Sequence, residues 1–126
     1  MKSNMVTLPD IAVVGSGYWG KNLVRNYCQI GALKLICDRN EVLIDKFKQD
    51  YPNVEVCCAF NDVLSRGNIQ GIVIATPAET HYNLAREALL AGKNVYVEKP
   101  LVLNETEAEE LIDIAAERRQ ILMVGH

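Results

Sequence analysis

The 126-residue sequence predicts an α/β domain with a doubly wound, mainly parallel six-stranded sheet and helices on both faces. Three observations carry that expectation. Six short runs of β-branched and apolar residues recur along the chain, several apolar throughout, as strands buried on both faces are. Between these runs lie segments of helical periodicity. A G-x-G-x-x-G at 15–20 joins the first run to the first such segment. Strand and helix alternating at this rhythm make right-handed crossovers, each returning the chain to a parallel neighbour.

The first strand is expected at Ile11–Val14. After it Gly20, Leu23, Val24, Tyr27 and Cys28 fall at i, i+3, i+4, i+7 and i+8, one face of a helix. A second strand at Leu33–Cys37 precedes a helix over 41–51, stopped by Pro52. A third strand at Val54–Cys57 precedes a short helix over 61–66, stopped by Gly67. The fourth strand, Gly71–Ala75, leads to a helix from about Glu79 to Ala91, with Gly92 as its C-terminal stop. A fifth strand follows at Asn94–Val97. The last helix opens at Asn104, an N-cap with Glu107 as its capping-box partner, and Glu105, Glu109 and Glu110 crowd its first turns. Arg118 and Arg119 close it in keeping with the macrodipole, before a sixth strand at Ile121–Val124.

Composition limits the function classes. With 49% hydrophobic and 23% charged residues the chain is globular and fits one domain, 1–126. A net charge of −3 argues against a nucleic-acid partner, which calls for a basic face. No apolar run approaches the roughly 20 residues that cross a bilayer, so no membrane role is expected. The first ten residues hold a single Lys and no signal-type apolar stretch, which makes a cytoplasmic location the expectation. Cys28, Cys37, Cys57 and Cys58 lack metal or redox spacing and are expected to be reduced and mostly buried, with Cys37 either a core residue or a neighbour of a ligand.

Gly15, Gly17 and Gly20 stand between a strand and a helix, the setting a dinucleotide fingerprint requires. Gly15 permits the tight turn, Gly17 lets the main chain approach a pyrophosphate, and Gly20 lets the helix pack close to the sheet. Ser16, Tyr18 and Trp19 belong to the same candidate cofactor loop. A helix N-terminus adds partial positive charge and unpaired N–H donors where the anion would sit. Asp38 ends the second strand 18 residues after Gly20, where a carboxylate accepts from the adenosine ribose hydroxyls; the alternative is that it caps the following turn. A 2′-phosphate about 4 Å away would meet repulsion of about 4 kcal/mol per charge pair at an effective dielectric near 20, which favours NAD. Arg39 offers a partner for that phosphate and keeps NADP possible.

Two further stretches follow strands at the carboxyl edge, where doubly wound sheets bind ligands. In ATPAETHYNLA, 75–85, Thr76 and Pro77 would line the cofactor, Pro77 holding Thr76 extended. His81 could face substrate, cofactor or solvent, or be structural. In VEKPL, 97–101, Pro100 keeps Lys99 out of helical geometry beside Glu98. Lys99 is either a solvated charge or a group that exchanges a proton with a hydroxyl being oxidised.

Together the three glycines, Asp38, ATPAETH and EKP, in this order and spacing, resemble the N-terminal domain of the glucose-fructose oxidoreductase, inositol dehydrogenase and MocA family across nearly the whole chain. The segment GYWGKNLVRN is similar to members that oxidise a hydroxyl on nucleotide-linked amino sugars. The resemblance implies a Rossmann-type fold, a nicotinamide dinucleotide partner, and hydride transfer between a sugar or polyol carbon and the nicotinamide ring. It implies that Lys99 contacts the reacting hydroxyl and the cofactor, often across a cis bond to the proline, and makes Lys99 the candidate catalytic residue. By the same resemblance Glu98 would help fix the ribose of the nicotinamide half, and Thr76, Pro77 and His81 would border the pocket. The family's Asp-x-x-x-His pair lies in a further α+β domain, expected after 126, and neither His81 nor His126 fills that role. The domain is therefore expected to bind cofactor without turning over a sugar-type substrate unaided, within a longer homo-oligomeric protein. The competing class is a non-catalytic NAD(H) sensor, whose bound nucleotide shifts a conformational equilibrium; a projecting lysine suits the enzyme.

Overall fold

The computed structural model describes residues 9–15, 17 and 20–125. Ser16, Tyr18, Trp19 and His126 lie outside the described residues. The elements run β1 (Ile11–Val14), α1 (Gly20–Gln29), β2 (Leu33–Cys37), α2 (Glu41–Asp50), β3 (Glu55–Cys57) and α3 (Phe60–Ser65). They continue with β4 (Gly71–Ile74), a 3-10 turn (Ala78–Thr80), α4 (His81–Leu90), β5 (Asn94–Glu98), α5 (Glu105–Glu117) and β6 (Leu122–Gly125). One six-stranded sheet has the order β3-β2-β1-β4-β5-β6, and every pairing is parallel. The doubly wound expectation holds, with a sheet wholly parallel where the sequence suggested mainly so.

Strands β1 and β4 are buried at every residue, as covered parallel strands must be. Alternate residues feed two cores. Val13 and Ile36 pack with Val24 of α1 and Ile44 and Phe47 of α2 on one face. Val14, Leu35 and Ile74 pack with Val63 of α3, Leu89 of α4 and Leu111 of α5 on the other.

Three boundaries differ from expectation because local hydrogen bonds override the apolar pattern. Val54 donates to Tyr51 O at 3.0 Å in a turn, which delays β3 to Glu55. The helix expected from Glu79 is divided because Thr80 N closes a short turn on Pro77 O at 2.9 Å, leaving the α-helix to start at His81. Ile121 N is taken by Asn94 Oδ1 at 2.9 Å, so β6 starts one residue later. The short helix begins at Phe60 and ends at Ser65, a residue earlier at each end than the sequence suggested. The Asn104 cap forms as predicted, its Oδ1 accepting from Glu107 N at 2.8 Å. A cap not foreseen is Asn40, which accepts from Val42 N and Leu43 N at 3.0 and 3.2 Å and starts α2 where β2 has ended.

Helices α4 and α5 are tied by Glu110, which accepts from Tyr82 OH at 2.8 Å and Arg86 Nε at 3.0 Å. The Tyr82 hydrogen bond, then Arg86, hold the Glu110 carboxyl below its ordinary range. Among the described residues no helix is long and apolar enough to cross a membrane.

Candidate dinucleotide site

The strand order reverses direction between β1 and β4, so the crossovers from these two strands leave on opposite faces and their loops splay apart. The strand ends are level there. Val14 pairs with Cys37 on one side and Ile74 on the other. The ladder continues to the rim: Gly15 N donates to Cys37 O and Ala75 N to Val14 O, both at 2.8 Å, and Asp38 N to Cys57 O at 3.2 Å. A cleft of about 560 Å³ opens above them.

Six residues singled out from sequence meet in this cleft: Gly15, Gly17, Asp38, Arg39, Thr76 and Pro77. The two described loop glycines have different reasons to be glycine. Gly15 has φ +84, and a Cβ there would lie 2.6 Å from Thr76 Cγ2 and 2.9 Å from Thr76 N, so turn and close packing both exclude a side chain. Gly17 is outside the left-handed region, and among the described residues nothing lies within 4 Å of where its Cβ would be. Gly17 lines the cleft and also borders a second hollow between α1 and α2. Gly20 opens α1 and is buried, and Lys21 N donates back to Gly17 O at 3.2 Å, so the glycine loop runs directly into the helix.

Both readings of Asp38 find support in its surroundings. Asp38 lines the cleft, while its Oδ1 accepts from Asn40 N at 2.8 Å, closing the turn into α2. A carboxylate fixed in this way is oriented before any ligand arrives.

Sequence reading missed the far wall. Cys58 and Phe60 follow β3, and Thr80 and Leu84 lie one helical turn apart at the start of α4. The available signal was that the carboxyl end of β3 borders the same edge as that of β2. Thr80 Oγ1 sits 2.6 Å from both Thr76 Oγ1 and Pro77 O, which stiffens this wall.

His81 is buried, with Nδ1 2.7 Å from Pro100 O and Nε2 2.8 Å from Thr76 O. The solvent-facing alternative is therefore excluded, and both ring nitrogens engage the backbone. Glu98 ends β5 opposite Gly125, and Lys99 follows, exposed, with a cis bond to Pro100. These two stand one strand along the same carboxyl edge and are not among the residues lining the cleft. Glu98 lies near the α1 face: burial first, then its negative charge, raises the phenols of Tyr96 and Tyr27.

The cysteine expectation needs correction. Cys37 is buried, but Cys28 and Cys57 are half-buried and Cys58 is exposed, because β3 is an edge strand and α1 turns Cys28 towards its flank. Cys37 is both core and cleft floor, and burial, followed by neighbouring Cys57, pushes its thiol well above the ordinary value, keeping it protonated. Among the described residues no group of three or more His, Cys, Asp or Glu could hold a metal ion.

Residues 10–126 match the GFO/IDH/MocA oxidoreductase family with an NAD-binding Rossmann fold. The chain belongs to this family. It is 33% identical over 119 residues to UDP-N-acetylglucosamine 3-dehydrogenase of Acidithiobacillus ferrooxidans, covering 90% of this chain and 36% of that protein. A glycosyl hydrolase family 109 protein of Shewanella putrefaciens is 34% identical over 121 residues, covering 87% of this chain and 26% of its own length. Among solved structures, GenD2 from gentamicin A biosynthesis, in complex with NAD, superposes with a TM-score of 0.89 at 32% identity, covering 98% of this chain and 36% of GenD2. The chain thus spans 26–36% of the length of these curated relatives.

The residues present fit the family's dinucleotide. An open main-chain surface at Gly17, a helix beginning at Gly20 and an oriented carboxylate at the end of β2 are what a diphosphate and a ribose diol require.

Proposed function

We propose that the chain is the cofactor half of an NAD-dependent dehydrogenase, acting between a hydroxyl of a sugar, sugar-nucleotide or polyol and the nicotinamide ring. The observation that carries this reading is Gly17: a glycine that needs neither positive φ nor close packing, at the mouth of the switch-point cleft. The likeness to a sugar-nucleotide dehydrogenase supports the substrate class.

In this reading the backbone of the glycine loop, with Ser16, Tyr18 and Trp19, holds the diphosphate. Asp38 accepts from the adenosine ribose hydroxyls, and Arg39 covers the adenosine end. Thr76 and Pro77 form the opposite wall. Bound nicotinamide supplies the two-electron chemistry. Lys99, on the same carboxyl edge, exchanges the proton of the reacting hydroxyl, and Glu98 helps fix the nearby ribose. The remaining catalytic groups and the substrate pocket belong to a further domain of a longer, homo-oligomeric protein.

Fluorescence titration tests the reading in two ways. NADH should bind the chain at least about tenfold more tightly than NADPH, since Asp38 repels a 2′-phosphate; equal or tighter NADPH binding would remove the Asp38 assignment. Gly17→Val should weaken NADH at least about tenfold, by filling the space a ligand occupies, while shifting the thermal midpoint by no more than about 3 °C. Unchanged NADH affinity in that variant would overturn the nucleotide site itself.

A further inference from the structure

His81 stands where two loops of the carboxyl edge meet. Its Nε2 is 2.8 Å from the carbonyl of Thr76, which walls the cleft, and its Nδ1 is 2.7 Å from the carbonyl of Pro100, the residue after Lys99. The ring is 1% exposed, so water does not compete for either position. Only the doubly protonated ring donates to both carbonyls; either neutral tautomer donates to one and turns its lone pair to the other. A continuous line of contact results. Gly15 leaves the space that Thr76 fills, the Thr76 carbonyl meets the ring, and the ring meets the lysine loop.

We propose that His81 is a positioning residue that fixes the Lys99–Pro100 turn to the Thr76 wall, so that occupation of the cleft and placement of Lys99 are coupled. The proposal rests on the nucleotide reading above and adds to it a mechanical link between diphosphate and lysine. A stiff, buried side chain bridging two loops transmits displacement because its packing allows few alternative positions. By linkage, whatever free energy ADP binding adds to ordering of the Lys99 turn, ordering of that turn adds equally to ADP binding.

ADP is the probe, because it fills the glycine-loop half and carries no nicotinamide that could touch Lys99 directly. Saturating ADP should move the Pro100 carbonyl carbon resonance downfield in the wild-type chain, the change expected when the hydrogen bond that oxygen accepts from His81 is firmed. No shift overturns the proposal without recourse to any variant. His81→Asn keeps a donor near the Nδ1 position and His81→Gln one near Nε2, so each breaks one link of the pair. Both variants should bind ADP within about threefold of wild type yet lose the ADP effect at the Pro100 carbonyl; a histidine that only fills space predicts that the effect persists. Failure of both ADP and NADH to bind the wild-type chain would sink the nucleotide reading separately. The strut is then judged in ligand-free protein, where the Pro100 carbonyl carbon should resonate upfield in His81→Gln, which gives up the Pro100 bond, relative to His81→Asn, and equal positions overturn it.

Discussion

Gly15→Ala is expected to destabilise the chain by about 3 kcal/mol and to weaken NADH binding by at least tenfold, through two separable effects. The first is conformational. At φ +84 a Cβ is strained wherever it is placed, at a cost of about 1–2 kcal/mol. The second is steric. The new methyl would lie 2.6 Å from Thr76 Cγ2, which can rotate, but also 2.9 Å from Thr76 N and 3.0 Å from Ala75 C, which are backbone and can yield only if the loop moves. That loop is the wall of the cleft, so relief of the clash displaces the surface on which the cofactor is held. Gly31→Ala is the internal control. It has φ +80 and nothing within 4 Å of the added methyl among the described residues, so it carries the conformational cost alone. Urea denaturation of both variants gives the steric contribution by difference, and NADH titration should show Gly31→Ala unchanged. Equal stability losses in the two would show that Thr76 accommodates the methyl.

Gly15 also marks what could be read from the chain and what could not. Its role followed from its place between an apolar run and a helical period, both of which are local patterns. The same holds for the six strands, since burial on both faces is written directly into runs such as Ile11–Val14 and Gly71–Ile74. Asp38 was legible because its distance from the glycines is fixed by one crossover. Phe60 and Leu84 were not, although they wall the same cleft. They arrive there from different crossovers, and their sequence neighbours are those of ordinary helix residues. The geometry of His81 was hidden for a stronger reason. Its two partners are carbonyls 5 and 19 residues away, and backbone acceptors leave no trace in side-chain identity.

Lys93 shows the same blindness in the core, and a large effect is expected there. A lysine at the start of β5 reads as a solvated charge, yet it is 5% exposed, with Nζ donating to Arg66 O and Ile69 O, each at 2.7 Å. These bonds tie the turn before β4 to the start of β5, at the end of the sheet opposite the cleft. Lys93→Met keeps the apolar stem and removes the ammonium. Losing the desolvation cost of a buried charge favours the variant, but the buried Ile69 carbonyl is left without its donor, at about 1–3 kcal/mol, and Arg66 O keeps only the bond from Ile69 N at 3.1 Å. The second effect wins because the Ile69 carbonyl, unlike a partner side chain, cannot be deleted with the lysine. We expect a net loss of about 2 kcal/mol, read from the urea midpoint, with NADH affinity per folded molecule unchanged. The pH dependence has a definite sign. Burial lowers the Lys93 pKa from its ordinary 10.5, so as pH rises the folded chain releases this proton before the unfolded chain does. In that window the unfolded state binds more protons, and stability due to this group climbs with pH until the unfolded value is passed. The stability gap between wild type and Lys93→Met should therefore widen on going from neutral pH towards 10, and a gap that narrows would show that the buried amine is not the group responsible.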